Sequence, residues 1–163
     1  QRLSFPKIIK MDAGGRALNV FKVDSYRDYI KVLKKLFSLN HLVHVEEFIK
    51  PKDFVTRVFV LNYKFRLAYK KMLKGEWLGS VSQGSDVEKY VDVSKKICAV
   101  GEKVARKLKA PILGLDIVES SGRNYVLDAN TTPCFNASSL KVYGFDPTKE
   151  IADYIFKVHK KFG

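Results

Sequence analysis

The sequence contains few cysteines and no long apolar run. Cys98 and Cys134 are its two cysteines, too few for the disulfide framework of a small secreted domain. No apolar stretch reaches the roughly 18–20 residues of a membrane-spanning helix, and the start lacks the charged and then apolar pattern of a secretory signal. These absences favour a cytoplasmic protein. Because the chain begins with Gln1, we expect a processed chain or a piece of a longer one.

Acidic residues are scarce relative to basic ones. The 163 residues carry 17 Asp and Glu against 30 Lys and Arg, a formal net charge of +13, while 46% of residues are hydrophobic. That hydrophobic content is sufficient for a core and argues against a disordered tail. The basic excess indicates an anionic partner such as nucleotide phosphate, nucleic acid or an acidic polymer. An ordinary soluble basic surface is the alternative.

Hydrophobic periodicity predicts an α+β fold. Most neighbouring predicted strands are joined by links of hairpin length, so we expect largely antiparallel sheets. Ser25 and the pair Asp146–Pro147 look like helix starts. The predicted strands are 5–10, 17–23, 42–49, 56–61, 64–72, 112–119 and 124–129; the predicted helices follow Ser25, span 92–109 and follow Asp146; residues 75–85 and 131–139 are predicted loops.

Three oxygen-bearing side chains are the strongest candidate for a metal site. Asp116 is a lone carboxylate in an apolar strand, and Asp128 and Asn130 share one face of the next strand because they are two residues apart. A three-residue turn at 121–123, with Gly122 in the left-handed conformation, would place Asp116 opposite Asp128. Such a group suits Mg²⁺. Alternatively, Asp116 caps a bulge and the second strand simply ends in a turn.

Two segments near the start have the character of a nucleotide site. Lys10 precedes a glycine turn, Asp12–Arg16, and a lysine beside such a turn can close over phosphates. In Glu46–Ile49, strand backbone and Phe48 can frame a planar base. The alternatives are a surface hairpin for the first segment and a strand that becomes buried at its end for the second.

The strand pair 56–61 and 64–72 is strongly basic. Strict alternation places Lys64, Arg66 and Lys70 on one face of the second strand, with Phe65, Leu67 and Tyr69 on the other. Arg57, Lys64, Arg66 and Lys70 are the cations that we expect to face an anionic ligand. Lys71 and Lys74 fit a solvated outer surface equally well.

In order and spacing, these segments resemble the ATP-grasp superfamily, most closely the ligases of the RimK and glutathione synthetase kind. The similarity covers nearly the whole chain, through 5–10, 46–49, 56–60, 114–117 and 127–133. It implies an ATP-grasp fold with two lobes around a nucleotide cleft. It also implies that ATP and Mg²⁺, or Mn²⁺, activate a carboxylate as an acyl-phosphate that an amine then attacks, as in amino-acid or glutamate ligases.

The resemblance assigns roles by position. Lys10 would contact the nucleotide phosphates, and Arg57, with Lys70 beside it in the basic strand pair, would act on the reacting groups. The residues implied beside adenine are Glu47, Phe48 and Ile49, and the implied Mg²⁺ ligands are Asp116, Asp128 and Asn130. Residues 1–50 would form the small lobe and 51–163 the large lobe with the metal site. The N-terminal substrate domain of the family is absent, so a missing domain or partner chain is expected to complete substrate selection.

Several positions depart from the family pattern. Val55 replaces an acidic residue, Leu78–Gly79–Ser80 replaces an Arg-Ser-Asn stretch, Asp128 is shorter than the usual glutamate, and Cys134 replaces a glycine. These departures leave open a scaffold that binds nucleotide without turnover. A kinase that phosphorylates a hydroxyl of an anionic small molecule is another alternative. A nucleic-acid-binding module is disfavoured, because no RNA-recognition signature is present.

Overall fold

In the computed structural model, the chain folds into two compact units, Gln1–Lys50 and Pro51–Gly163. The structure describes residues 4–11, 19–39, 41–73, 76–77, 86–133, 135, 137–144 and 146–162. The predicted glycine turn at 12–16, the departures at 78–80 and Cys134 lie outside these ranges. Across the described residues, no helix is long and apolar enough to cross a membrane.

The N-terminal unit is a small antiparallel sheet covered by one helix. Its described elements are β1 (Lys7–Met11), β2 (Val20–Val23), α1 (Tyr26–Ser38) and β3 (Val43–Glu47). The strand order is β2-β1-β3. Ser25 caps α1 as predicted, because its hydroxyl accepts a hydrogen bond from the Asp28 N–H at 3.2 Å. Ile9, Val23 and Leu36 form the core between sheet and helix.

The C-terminal unit is built on a larger antiparallel sheet with helices on both faces. Over the described residues the strand order is β6-β5-β4-β7-β8, and each pair of neighbouring strands is antiparallel. The elements are β4 (Phe54–Leu61), β5 (Lys64–Met72), β6 (Val87–Lys89), α2 (Lys95–Lys107), β7 (Ile112–Ser120), β8 (Arg123–Asn130), α3 (Ala137–Tyr143) and α4 (Pro147–Phe162). The predicted α+β class and antiparallel sheets are confirmed.

Alternating side chains divide this unit into two cores. One sheet face packs against α2 and includes Val58, Val60, Leu113, Leu115, Ile117 and the helix residues Ile97 and Ala105. The opposite face packs against α3 and α4 and includes Phe59, Leu61, Leu67, Tyr69, Phe135, Tyr143 and Ile151. Neighbouring residues of one strand therefore belong to different cores. Within a regular strand, the parity of a residue, that is, whether its number is odd or even, determines which of the two sheet faces its side chain occupies.

Short elements are where the sequence prediction was wrong. The helix predicted from 92 begins at Lys95, with Ser94 accepting a hydrogen bond from the Ile97 N–H at 3.3 Å. Strand β6 was not predicted, and neither was α3, which begins inside the segment 131–139 that was predicted to be a loop. Elements of this length show no measurable periodicity, and β6 exists because it pairs with the edge of β5.

The alternation predicted for β5 fails at Arg66. Val60 pairs with Phe65 and Phe59 pairs with Leu67, so a bulge leaves Arg66 out of the register. Phe65 consequently packs on the α2 side, whereas Leu67 packs on the α3–α4 side. The expectation that Phe65 and Leu67 share a face was wrong.

The same bulge separates the basic side chains that were expected on one face. The Arg66 Nε donates to Glu150 Oε2 of α4 at 2.8 Å. Lys70 instead lies over the rings of Phe54 and Tyr90, with Nζ 4.7 and 5.0 Å from their centroids, and Tyr90 packs on the α2 side. Arg66 and Lys70 therefore do not act on a common ligand.

Gly101 allows α2 to pack closely on the sheet. Adding one methyl group at this position should therefore change the stability of the unit. A Cβ at Gly101 would lie 2.9 Å from Val58 Cγ1. Replacing helical glycine by alanine gains about 1 kcal/mol of helix propensity, but overpacking a core costs about 1–3 kcal/mol. Because a strand valine has restricted χ1 freedom, we expect Gly101→Ala to lower the free energy of unfolding by about 1 kcal/mol in urea titration.

Val58→Ala supplies the control for this prediction, because it removes the atom that the new methyl group would meet. We expect the double variant to lose less stability than the sum of the two single losses. If the two single losses in the free energy of unfolding instead add up to the loss in the double variant, the contact between position 101 and Val58 does not limit the approach of α2.

Candidate active site

The β7–β8 hairpin brings two carboxylates together. Ser120 pairs with Arg123, so the turn contains two residues, Ser121 and Gly122, with φ of 50° and 72°. This is the geometry of a two-residue hairpin turn. The three-residue turn that was expected is therefore wrong, although the left-handed conformation of Gly122 is confirmed.

A bulge in this hairpin produces the pairing that the turn alone would not. The register shifts between Asp116 and Ile117, which places Ile117 opposite Val126 and Asp116 opposite Asp128. An uninterrupted two-residue hairpin would have placed Leu127 opposite Asp116. The expected convergence of Asp116 and Asp128 occurs, but its cause is the bulge.

Asp116 lies between two cations from neighbouring strands. Its Oδ2 accepts a hydrogen bond from Lys71 Nζ at 2.9 Å. Its Oδ1 is 2.8 Å from the same ammonium and 3.2 Å from Arg57 NH1. The three side chains are only 17%, 9% and 13% exposed for Asp116, Lys71 and Arg57. One carboxylate thus pairs with two nearly buried cations, and the three side chains together carry a formal charge of +1.

The ion cluster retains hydrogen-bonding capacity. Asp116 Oδ1 and Arg57 NH1 are buried, and in the described part of the chain neither has a partner with hydrogen-bond geometry, despite their separation of 3.2 Å. Buried polar groups are ordinarily hydrogen-bonded, and exceptions often mark a position for a ligand. The geometry is therefore suited to an added metal ion or anion.

Burial lowers the pKa of the Lys71 ammonium, and the negative charge of Asp116 opposes this effect. Arg57 lowers the pKa further, while Asp128 raises it slightly. The sequence interpretation treated Lys71 as one of two lysines that fit a solvated surface, and it selected Lys70 instead. The signal was available, since Lys71 has the parity of the buried Tyr69, and a cation on an apolar face requires an acidic partner.

The expected Mg²⁺ ligands fit to different degrees. Asp128 is exposed and faces the Asp116 position across the strands, so these carboxylates form the acidic pair from which Mg²⁺ is usually bound together with water and phosphate oxygens. The Oδ1 of Asn130 already accepts hydrogen bonds from the N–H and hydroxyl of Thr132 at 2.8 and 3.1 Å. The described residues contain no cluster of three or more His, Cys, Asp or Glu side chains with metal-binding geometry.

Gly114 makes room for Pro133 beside the arginine of this cluster. A Cβ at Gly114 would lie 2.9 Å from Pro133 Cβ, which is too close, and 3.4 Å from Arg57 Cζ, which is at the edge of ordinary van der Waals contact. The guanidinium therefore passes directly over the β7 backbone, next to the start of the segment that follows β8. The glycine two residues before Asp116 is a steric requirement of the Pro133 position.

The expected nucleotide residues lie in the N-terminal unit. Lys10 of β1 forms an ion pair with Glu46 of β3 at 2.7 Å. Glu47 is the last residue of β3 and is exposed. The Phe48 N–H donates to the Pro6 carbonyl at 3.3 Å, and Lys22 Nζ lies 5.2 Å from the Phe48 ring centroid. Ile49 follows outside the strand and is half-buried.

The family pattern predicts an acidic residue two positions before Arg57. This chain has Val55 there, so the position contributes no charge to the cluster. Val55 is only 6% exposed and pairs with Lys71 in the sheet register. The ammonium of Lys71 is instead paired with Asp116 of β7.

Comparison with known proteins decides the family. The RimK-like ATP-grasp domain matches residues 1–155. The chain belongs to this family. A probable alpha-L-glutamate ligase of Legionella pneumophila (strain Corby) is 26% identical over 157 residues, which are 95% of this chain and 51% of the relative. The chain therefore spans about half the length of that relative.

Solved structures show the same ATP-grasp fold. D-alanine–D-alanine ligase from Bacillus anthracis, complexed with ATP, superposes with a TM-score of 0.74 at 20% identity, covering 98% of this chain and 55% of that one. The ATP-grasp ligase PsnB, complexed with minimal precursor, Mg and ADP, superposes with a TM-score of 0.67 at 17% identity, covering 94% and 46%. The predicted ATP-grasp fold is confirmed.

The adjacent residues Lys70 and Lys71 offer a matched test of the ion cluster. We expect Lys71→Met to lower the free energy of unfolding by about 2 kcal/mol, less than for a fully buried pair because Arg57 still neutralises Asp116. Lys70→Met removes only contacts with two aromatic rings and should cost about 0.5 kcal/mol. Urea unfolding measures both. Equal losses would show that the buried pairing of Lys71 with Asp116 does not stabilise the unit.

Proposed function

We propose that the chain is an ATP- and Mg²⁺-dependent ligase domain that activates a carboxylate as an acyl-phosphate for attack by an amine. The observation that carries the proposal is the pairing of Asp116 with Asp128 beside Arg57 and Lys71, in a chain of the RimK-like ATP-grasp family. The relative named as a probable alpha-L-glutamate ligase supports a glutamate or amino-acid substrate.

Each residue of the cluster has a proposed task. ATP would supply the phosphoryl group, and the bound Mg²⁺ would neutralise the negative charge of the phosphate oxygens. Asp116 and Asp128 would hold the metal, with Asn130 as a third oxygen donor once Thr132 releases it. Arg57, whose NH1 has an unused donor, would stabilise charge on the reacting phosphate or carboxylate. The sequence analysis assigned a catalytic role to Lys70, whereas in this proposal Lys71 would act beside Arg57, because it is Lys71 that contacts Asp116.

The N-terminal unit supplies the proposed nucleotide contacts. Lys10 would exchange Glu46 for nucleotide phosphate, and Glu47, Phe48 and Ile49 would lie beside adenine. Residues 1–50 would be the small ATP-grasp lobe and 51–163 the large one. An N-terminal domain or a partner chain would complete the site for an acidic or amino-acid-like substrate. A cytoplasmic location, which would supply the ATP, is part of this proposal.

Mg²⁺ and ATP together should stabilise the chain through the acidic pair. Ligand binding stabilises by about 2.7 kcal/mol at one hundred times Kd. We expect a rise in thermal unfolding temperature with Mg²⁺–ATP that exceeds the effect of either alone. Asp128→Asn should remove this increment, because an exposed metal ligand is lost without disturbing the buried cluster.

Glu119→Gln is the matched control for Asp128→Asn. Glu119 is also an exposed acid of the β7–β8 hairpin, but it has the parity of the α2-facing residues of β7. It should keep the full Mg²⁺–ATP increment. An equal increment in the Asp128 and Glu119 variants would contradict the metal assignment.

The reaction class can be tested by trapping the activated carboxylate. An acyl-phosphate reacts with hydroxylamine to give a hydroxamate, so ATP, Mg²⁺, hydroxylamine and a peptide ending in glutamate should yield hydroxamate, ADP and phosphate. Arg57→Gln should lower the yield by at least about tenfold. A phosphorylated alcohol without hydroxamate would favour the kinase alternative, and saturable nucleotide binding without ADP release would favour the scaffold.

A further inference from the structure

The solvent-facing side of α2 is almost entirely basic. At 3.6 residues per turn, its exposed cations fall within about 120° of the helix circumference. We call this surface the α2 basic face. It consists of Lys95, Lys96, Lys103, Arg106 and Lys107, and its one acidic neighbour is Glu102.

Glu102 makes hydrogen bonds with one residue outside the α2 basic face and with only one of its cations, Arg106. Its Oε1 accepts a hydrogen bond from the Phe65 N–H at 3.1 Å, and its Oε2 accepts one from Arg106 at 2.9 Å. Lys64 Nζ is 3.9 Å from Oε2. Within the ranges that the structure describes, Lys95, Lys96, Lys103 and Lys107 have no acid at ion-pair distance.

Local helix energetics explains only part of this arrangement. Arg106 and Lys107 lie in the last turn of α2, where the helix dipole favours cations, and Arg106 pairs with Glu102 one turn before it. Lys95 and Lys96, in contrast, occupy the first turn, which contains no acidic residue and where the dipole disfavours cations. Lys103 and Lys107 are like charges one turn apart, a spacing that also disfavours the helix. Helix energetics therefore gives no reason for Lys95, Lys96 and Lys103, whereas an anionic partner does.

The α2 basic face is separate from the candidate active site. α2 packs on the sheet face that carries Val58 and Leu115, while Arg57 and Asp116 have the opposite parity in the same strands. A shallow depression of about 420 Å³ lies on the α2 surface, lined by Ala99, Glu102, Lys103, Arg106 and Lys107. A ligand bound there would leave the Asp116 cluster accessible to Mg²⁺–ATP.

We propose that the α2 basic face docks an acidic polypeptide segment. This inference rests on the proposed function, since a ligase that acts on glutamate would handle glutamate-rich chains. The helix rise separates Lys96 and Lys107 by about 16 Å, the length of about five residues of extended peptide, whose alternate carboxylates point to one side. The face carries no aromatic side chain for base stacking, which disfavours single-stranded nucleic acid.

The test measures binding of a labelled peptide of about ten glutamates by fluorescence anisotropy at low salt, where exposed charges are least screened. The triple variant K96Q/K103Q/K107Q removes three of the four α2 lysines that have no acid at ion-pair distance among the described residues. The matched control K31Q/K34Q/K35Q removes the same charge from exposed positions of α1. We expect the α2 variant to weaken binding at least about tenfold and the α1 variant less than about threefold.

Equal weakening in both variants would overturn the proposal, because it would show a response to net charge alone. So would absence of peptide binding, or tighter binding of an equally charged single-stranded RNA that the α2 variant abolishes. The Mg²⁺–ATP stabilisation is measured on the same variants and should not change. Peptide binding at α2 in a chain without Mg²⁺–ATP stabilisation would leave docking established and the proposed reaction wrong.

Discussion

A carboxylate inside a largely buried sheet requires cationic partners, and this requirement organises the C-terminal unit. Asp116 receives Arg57 from β4 and Lys71 from β5, so three adjacent strands each contribute one charge. A slip of one residue between any two of these strands would move a charge into the apolar core against α2. The ion cluster and the sheet register therefore stabilise each other, because leaving any one of these buried charges unpaired is strongly unfavourable.

Two bulges place the remaining residues relative to this cluster. The bulge at Arg66 lets Phe65 join the α2 core while Leu67 and Tyr69 stay on the other face. The bulge in the β7–β8 hairpin places Asp128 opposite Asp116. Irregularities in the strands, rather than ideal alternation, thus determine which side chains share the candidate site, as bulges near active sites commonly do.

Local patterns in the sequence predicted the antiparallel α+β architecture, the cap at Ser25 and the start of α4. At that start, Asp146 Oδ1 accepts from the Thr148 N–H at 2.8 Å. They also predicted that Asp116 and Asp128 would meet. The positions of the bulges were missed, because they depend on the simultaneous packing of two sheet faces, whereas the burial of Lys71 was missed although Lys71 alternates with the apolar Tyr69. Simple alternation has no information about which face a distant helix covers.

The charges of the cluster imply that metal and nucleotide bind together under the proposed function. Arg57 and Lys71 balance Asp116 and Asp128, so the four side chains are formally neutral as a group. A divalent cation held by the two carboxylates would leave an excess of positive charge in a poorly solvated place, which is unfavourable without an anion. With a metal held by the two carboxylates, both cations would lose part of their pairing and would be available to phosphate oxygens. The same residues therefore favour neither bare metal nor bare triphosphate, but the complex of the two.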